Sequence, residues 1–164
     1  MSDDFGKRIS IEEVEEGTSF APKFDEKGLI PVITVEDSTN EILMHGYSNK
    51  EALLKTIETN QAHYWSRSRK KIWKKGETSG LNQAIKKILI DDDQDCLIFR
   101  VELGGLAASC HVGYKSCFYR SLEGKNELIF TETEKVFDPE EVYEGQDLSL
   151  IHISEPTGPL YISY

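Results

Sequence analysis

The order of short β-rich segments constrains the fold of this chain more than any other feature. Each segment is rich in β-branched and aromatic residues and is bounded by Gly, Asp, Asn or Ser, which favour turns. The six segments cover residues 28–37, 41–47, 62–68, 84–90, 96–103 and 127–132. The first two are joined by the turn sequence EDSTNE and therefore predict a β-hairpin.

Helical patterns occupy a smaller part of the chain. Apolar residues recur at helical spacing over residues 50–60, where Ser48 or Asn49 is suited to cap a helix. A shorter helix is predicted just before Gly17. Because the sequence has no internal repeat and no linker, these patterns predict a compact, β-rich single domain of the α+β class with one or two helices.

Composition divides the 164 residues into three parts. Residues 1–27 are charge-rich and weakly patterned, which predicts an N-terminal extension. Residues 28–143 contain all the β-rich segments and predict the functional domain. Residues 144–164 predict a tail without a role, because most of it resembles translated sequencing-adapter text, and we expect the native chain to end between Tyr143 and Gln146.

The charge balance excludes several classes of protein. Lys and Arg total 19 and Asp and Glu total 29, which gives a formal net charge of −10. This acidity argues against a general nucleic-acid binder and against a protein held on anionic lipid. The sequence has no apolar run of about 20 residues and no signal-peptide pattern, and its three cysteines do not suggest a disulfide framework. We therefore expect a cytoplasmic protein.

An acidic cluster, DDDQD, occupies residues 91–95. On an extended backbone Asp91, Asp93 and Asp95 would share one face, while Asp92 would point the other way. Three adjacent carboxylates repel one another unless a hard cation such as Mg²⁺ lies among them. The cluster predicts either a magnesium site or an ordinary solvated turn.

A second cluster, SCHVGYKSCF, brings Cys110, His111 and Cys117 within eight residues. Two thiols and an imidazole can bind zinc, although two buried cysteines are the simpler interpretation. The spacing is not that of a zinc finger or ribbon. An incomplete ligand set fits a catalytic site, where an open position is left for water.

A third feature is the basic stretch HYWSRSRKKIWKKGETSG at residues 63–80. Six of its side chains are cationic, namely Arg67, Arg69, Lys70, Lys71, Lys74 and Lys75. Such a concentration in an acidic protein favours a phosphate-bearing ligand, with Thr78 and Ser79 as further donors. Trp65 and Trp73 could stack on a base. The simpler alternative is an exposed basic hairpin.

These motifs together closely resemble the phosphoribosyl-AMP cyclohydrolase family of histidine biosynthesis. The matching segments are GLIPVI at 28–33, LMHGYSNKEAL at 43–53, HYWSRSRKKIWKKGETSG at 63–80, DDDQD at 91–95 and CHVGYKSCFYR at 110–120. The resemblance implies an intertwined homodimer that depends on zinc and magnesium, with its active sites at the subunit interface. It also implies a small-molecule substrate. The pyrophosphohydrolase that makes this substrate is sometimes fused C-terminally in such proteins, but we expect no fused domain here, because 164 residues are too few to include it.

The resemblance implies a ligand set with one departure. Asp91, Asp93 and Asp95 match the family's magnesium carboxylates, and Cys110 and Cys117 match two of its zinc thiolates. The family usually has a third zinc cysteine, supplied by the partner subunit, where this chain has Asp92. Asp92 is expected to replace it, since a carboxylate can bind zinc. Cys96 is the rival, but on a regular strand it would lie about 13 Å away.

The implied reaction adds water to C6 of the N1-ribosylated adenine and breaks the N1–C6 bond. Zinc lowers the pKa of water towards neutrality, which makes it the expected source of the nucleophile. His111 is the candidate for proton transfer. The side chains expected to bind phosphate, ribose or base are Trp65, Arg67, Arg69, Lys75, Glu77, Thr78 and Ser79.

Two other functions compete with this interpretation. A zinc nucleoside deaminase attacks the same ring carbon, but its H-x-E and P-C-x-x-C motifs do not occur here. A metal-stabilised RNA-binding module would use the basic stretch, and its affinity would depend strongly on salt. The net charge disfavours the RNA-binding module, and the family resemblance disfavours both alternatives.

Overall fold

A computed structural model describes residues 5–105 and 108–142. The expected tail, residues 144–164, lies outside the described residues. The elements are α1 Ile11–Glu16, β1 Ile30–Glu36, β2 Ile42–Ser48, α2 Lys50–Thr59, β3 His63–Ser66, β4 Lys71–Lys74, β5 Gln83–Ile90, β6 Leu97–Leu103, β7 Arg120–Glu123, β8 Glu127–Phe130 and α3 Pro139–Val142. This combination confirms the α+β class. No described helix is long and apolar enough to cross a membrane.

The central element is a four-stranded mixed sheet in the order β2-β1-β6-β5. The predicted β1–β2 hairpin is present, with Ile33 opposite His45. β6 then pairs in parallel with β1, where Thr34 is level with Phe99, and β5 closes the sheet antiparallel to β6. β3 and β4 form a separate two-stranded sheet, as do β7 and β8.

Helix α2 has the ends that its sequence predicts. Asn49, rather than Ser48, is the N-cap, and its side-chain oxygen accepts a hydrogen bond from the N–H of Ala52. Asn60 ends the helix in a left-handed conformation, with φ of 57°. The apolar face of the helix buries Leu53 in the core.

The core lies where the main sheet meets α2 and the β3–β4 pair. Its buried members are Ile30, Val32, Leu43, Met44, Leu53, Ala62, Tyr64, Leu97, Phe99 and Val101. The Tyr64 ring lies 5.1 Å from the Trp73 ring and 5.8 Å from the Phe99 ring, measured between centroids. Trp73 therefore packs against the core, which argues against the expected role of this residue in stacking on a base.

The β7–β8 hairpin is exposed on both strands. Its exposed apolar side chains include Leu122, Leu128, Ile129 and Phe130. The neighbouring rings of Tyr114 and Tyr119 stack with centroids 4.1 Å apart. In one copy of this chain the hairpin thus presents apolar surface to solvent.

Candidate active site

Cys110 and Cys117 lie on a loop, residues 108–119, that we call the Cys loop. The loop is folded back on itself, because the N–H of Cys110 donates to the carbonyl of Tyr114. It is also anchored to the main sheet, because the N–H of Cys117 donates to the carbonyl of Leu43 at 2.7 Å. Gly113 makes the tight turn between the cysteines possible, since its φ of 113° disfavours other residues.

The two thiols interact directly. The Cys117 side chain, with smaller contributions from backbone amides and Lys75, lowers the pKa of Cys110 to about 7 against the raising effect of burial. The pKa of Cys117, an exposed residue, is raised in turn, chiefly by its hydrogen bond with Cys110. The pair therefore releases one proton near neutral pH and holds the second, because two adjacent thiolates repel each other. A soft divalent cation would remove this repulsion.

A buried lysine, Lys75, stabilises the Cys loop through a hydrogen bond. The Lys75 ammonium donates a hydrogen bond of 2.6 Å to the carbonyl oxygen of Ser109, the residue before Cys110. Burial lowers the pKa of Lys75, and the neighbouring Cys117 and Cys110 oppose that shift. The ammonium is thus directed at the cysteine pair. Its expected role in binding phosphate stays a prediction.

A chain of buried hydrogen bonds extends this support into the core. The Gln83 amide donates to the Ser109 hydroxyl at 3.1 Å, and the Tyr64 hydroxyl donates to the Gln83 carbonyl oxygen at 2.6 Å. Tyr64 in turn lies 2.7 Å from the hydroxyl of Thr34 in β1. Ser109 is therefore held at its carbonyl and at its hydroxyl, which fixes the position of Cys110.

Lys115 and Ser116, near the other end of the Cys loop, anchor it through ion pairs and a hydrogen bond. The Lys115 ammonium lies 2.6 Å from a carboxylate oxygen of Glu36 and 3.1 Å from one of Glu41. The Ser116 hydroxyl donates to the carbonyl of Ile42 at 2.7 Å. These contacts fasten the loop to the β1–β2 hairpin. Sequence reasoning missed Lys115, Ser109 and Gln83, because their partners lie far away in the chain.

Residues 91–95, which we call the Asp turn, lie between β5 and β6. The backbone there is a turn rather than the extended strand that we expected, with Gln94 at φ of 59°. The turn nevertheless brings Asp91, Asp93 and Asp95 together, with one carboxylate oxygen of each within 4.8 Å of the others. Gln94 points away from this cluster and is buried.

The electrostatics of the Asp turn suit a hard cation. Hydrogen bonds with Asp93 and then Asp91 raise the pKa of Asp95 to about 6. Burial would raise the pKa of Asp91, but hydrogen bonds from Asp95 and from the backbone outweigh it and lower that pKa. Asp95 therefore holds its proton to a higher pH than is usual for an aspartate, through its hydrogen bonds with Asp93 and Asp91. Mg²⁺ can take the place of that proton, so these residues fit the ion.

The strand register separates the Asp turn from the Cys loop within one chain. The N–H of Cys117 donates a hydrogen bond to the carbonyl of Leu43 in β2. Met44, the next residue of β2, pairs with Thr34 of β1, which in turn pairs with Phe99 of β6. Asp95 precedes Phe99 by four residues, a distance of roughly 13 Å along a strand. Among the described residues, no His, Cys, Asp or Glu joins the two cysteines as a third clustered ligand.

Asp92 and Cys96 differ in their readiness to bind a metal. The Asp92 side chain is exposed and accepts a hydrogen bond from the neighbouring N–H of Asp93, at 3.0 Å. Cys96 is half-buried, and burial followed by the charges of Asp91 and Asp95 raises the pKa of its thiol. Asp92 is therefore the more accessible donor of the two.

The basic stretch folds into β3, β4 and the following turn. Trp65 and Arg69 are half-buried, and the Arg69 backbone and guanidinium both donate to the Ser66 hydroxyl. Arg67 lies over the Tyr47 ring, with its guanidinium carbon 4.1 Å from the ring centroid. Tyr47 is a further residue that the sequence did not single out.

The expected phosphate-binding turn follows β4. Glu77 and Thr78 are exposed, and Ser79 is half-buried with its hydroxyl accepting from the N–H of Leu81. Gly76 is required at its position, because a Cβ there would lie 2.3 Å from the backbone nitrogen of Asn82, and its φ is +87°. His111 is half-buried in the Cys loop, and its role in proton transfer stays a prediction.

Comparison with known proteins identifies the family. The family model described as phosphoribosyl-AMP cyclohydrolase matches residues 44–119, which include the basic stretch, the Asp turn and both cysteines. The chain is 56% identical over 121 residues to the phosphoribosyl-AMP cyclohydrolase of Methanoregula boonei, covering 74% of this chain and 93% of that protein. It is 50% identical over 130 residues to that of Methanospirillum hungatei, with 79% and 94% covered. The chain therefore belongs to the phosphoribosyl-AMP cyclohydrolase family, as its motifs predict.

Proposed function

We propose that this protein hydrolyses the adenine ring of 1-(5-phosphoribosyl)-AMP at the N1–C6 bond, as a step of histidine biosynthesis. Membership of the family supports the reaction, since the curated relatives that it matches are named phosphoribosyl-AMP cyclohydrolase. The observation that carries the proposal is the Cys110–Cys117 pair, held above a buried ammonium. The positive charge of this ammonium helps to explain how a short loop can hold two thiols side by side.

Zinc is the metal that best fits the Cys loop. It prefers sulfur and nitrogen ligands, and catalytic sites commonly have three protein ligands and an open position. Cys110 and Cys117 would supply two ligands. When bound, zinc activates water for attack near neutral pH.

A partner subunit is the proposed source of the third ligand. The Asp turn of the same chain is too far along the sheet to reach the cysteines, which supports a site shared between two copies. We assign the third position to Asp92 of the partner subunit, because the Asp92 side chain is exposed whereas Cys96 is half-buried. The exposed apolar residues of the β7–β8 hairpin are consistent with a homodimer.

Asp91, Asp93 and Asp95 would hold magnesium next to that shared site. Mg²⁺ retains several waters and is commonly bound through carboxylates together with substrate phosphates. The proposed role of the Asp turn is therefore to bind the substrate through a phosphate group. Arg67, Arg69, Glu77, Thr78 and Ser79 would hold the remaining phosphate and ribose groups.

The remaining chemistry is assigned to the chain's own side chains. Ribosylation at N1 makes the adenine ring cationic and C6 electrophilic, so water adds at C6. His111 is assigned the proton transfer, because an imidazole titrates near neutral pH and this one adjoins Cys110. Trp65, half-buried on β3, would stack on the base. Cleavage of the N1–C6 bond then yields the ring-opened product.

Replacement of the cysteines tests this assignment. Cys110→Ser and Cys117→Ser are each expected to remove bound zinc and to lower kcat/KM by at least about 100-fold, since a zinc-activated nucleophile is lost. Cys96→Ser is the matched control and should retain both zinc and turnover. Activity that persists in the Cys110 and Cys117 variants would overturn the zinc assignment. RNA affinity without turnover would instead favour a binding module.

A further inference from the structure

The Asp turn contains one residue that faces into the protein. Gln94 is 7% exposed, whereas the aspartates around it are exposed or half-exposed. Its backbone is left-handed, with φ of 59°, a conformation that non-glycine residues adopt at a cost. Gln94 is also the centre of the turn, because its N–H donates to the Asp91 carbonyl. Whatever holds Gln94 therefore holds the carboxylates on either side of it.

The N-terminal segment, residues 5–27, provides three hydrogen-bond partners of the Gln94 side chain. The side-chain oxygen accepts a hydrogen bond of 2.7 Å from the N–H of Ala21. The side-chain amide donates to the carbonyls of Val14 and Ser19, at 2.9 and 3.3 Å. The Gln94 backbone carbonyl accepts from the N–H of Lys23 at 2.7 Å. Four hydrogen bonds thus join the Asp turn to a segment more than 70 residues away.

The N-terminal segment is itself fixed in place. Phe5 and Phe20 pack edge to face, with centroids 5.2 Å apart, and both pack against the main core together with Phe24. The Arg8 guanidinium donates to the carbonyl of Ala21 at 2.7 Å, next to the contact with Gln94. The segment therefore packs against the core of the domain.

We infer that Gln94 is a positioning residue for the magnesium carboxylates, and that the N-terminal segment holds the Asp turn in its metal-binding shape. The inference rests on the proposed function, which assigns magnesium to Asp91, Asp93 and Asp95. Carboxylates this close repel one another, so an unsupported turn would open when no cation is bound. Anchoring Gln94 keeps Asp93 and Asp95, its two neighbours, together before the ion arrives. Preorganisation of this kind increases affinity.

Binding of Mn²⁺, followed by electron paramagnetic resonance, tests the inference on the full-length protein. Gln94→Asn retains an amide and tolerates the left-handed backbone, but it is one methylene too short to reach the N-terminal segment. We expect it to weaken Mn²⁺ binding by roughly 10- to 100-fold, as is usual for outer-shell partners of metal ligands. Zinc content should not change. Gln94→Glu should weaken binding too, because its carboxylate cannot donate to the Val14 and Ser19 carbonyls.

Asn49→Ala is the matched control, because it removes the cap of α2 without touching the Asp turn. It should lower stability while leaving Mn²⁺ affinity unchanged. Equal Mn²⁺ affinity in wild type and Gln94→Asn would overturn this inference but leave the proposed function standing. The same would follow if Asn49→Ala lost as much Mn²⁺ affinity as Gln94→Asn. A wild-type protein that binds no Mn²⁺, or an Asp93→Asn variant that binds it as well as wild type, would overturn the magnesium assignment and this inference with it.

Hydrogen exchange on the wild-type protein gives a second test that needs no variant. Because coupling between two sites is reciprocal, an N-terminal segment that favours metal binding must itself be stabilised by the metal. Saturating Mg²⁺ should therefore slow exchange at the N–H groups of Ala21 and Lys23, the two backbone donors to Gln94. Exchange at these positions that does not respond to Mg²⁺ would contradict the inference.

Discussion

The ammonium of Lys75 donates a hydrogen bond of 2.6 Å to the carbonyl oxygen of Ser109, the residue that precedes Cys110. Lys75 belongs to the basic stretch that suggested phosphate binding, yet its side chain is buried beneath the Cys loop. A buried ammonium is costly unless it is paired or hydrogen-bonded. Here the carbonyl and the neighbouring cysteine pair provide that compensation, which links the lysine to the proposed zinc site.

This contact predicts the effect of Lys75→Met. Loss of the ammonium should release the Ser109 carbonyl and remove the positive charge next to the thiols, so zinc affinity should fall about tenfold or more. Competition with a chromophoric chelator measures that affinity. Lys74→Met is the matched control, because Lys74 is adjacent and exposed. Unchanged zinc affinity together with a raised KM would instead assign Lys75 to the substrate phosphate.

The Glu36–Lys115 pair predicts a pH-dependent part of the stability. Burial would raise the pKa of Glu36, but hydrogen bonds from Lys115 and Thr39 lower it overall, below the usual 4.5. A carboxyl with a lowered folded-state pKa contributes stability above its unfolded pKa and loses it as pH falls through the folded value. Lys115→Met should therefore reduce the free energy of unfolding by about 1 kcal/mol near pH 7.

The same variant should differ less from wild type as the pH falls from the usual Glu36 value through the lowered folded-state value, because below the latter the carboxyl is protonated in both proteins. Urea unfolding at a series of pH values measures the difference. Lys125→Met, in the exposed turn between β7 and β8, is the control and should change stability little. A difference that grows towards acid pH would contradict the proposed role of the pair.

A shared active site predicts that two inactive variants complement each other. Cys117→Ser and Asp92→Asn should each be inactive alone, because each lacks a proposed zinc ligand. When subunits are mixed and exchanged, half of the dimers are expected to be heterodimers with one intact site of two. Activity should then recover to about a quarter of the wild-type value. No recovery after verified exchange would contradict a site built from two subunits.

The exposed hairpin predicts where the subunits meet. Leu128 is 52% exposed in one copy of the chain, so Leu128→Asp should not unfold the monomer. It should shift the protein towards monomer if β8 lies in the dimer interface, because a buried charge would be introduced there. Light scattering after size exclusion measures the mass. Ile9→Asp, at an equally apolar but more exposed position, is the control.

Local patterns explain the parts of the fold that could be predicted. Helix α2 follows from helical spacing with Asn49 and Asn60 at its ends, and the β1–β2 hairpin follows from two β-rich segments around a turn. The parallel pairing of β1 with β6 could not be predicted, because it depends on contacts between distant residues. For the same reason the support of Ser109 by Lys75 was not foreseen.

For the Asp turn, the clustering of the three aspartates was predicted correctly from a backbone conformation that was wrong. Alternation along a strand predicted that Asp91, Asp93 and Asp95 share a face, and they do lie together, but on a turn. The difference comes from Gln94, whose left-handed backbone is held by the N-terminal segment. No local signal in DDDQD reveals that contact.

Turnover of phosphoribosyl-AMP tests the proposed activity most directly, since opening of the purine ring changes its ultraviolet absorbance. The purified protein would be assayed after removal of metals by chelation, and again after zinc and magnesium are restored separately and together. We predict that chelation abolishes turnover and that zinc is required for its return. Turnover that survives complete removal of zinc would contradict the proposed function. So would a fully metal-loaded dimer that shows no turnover.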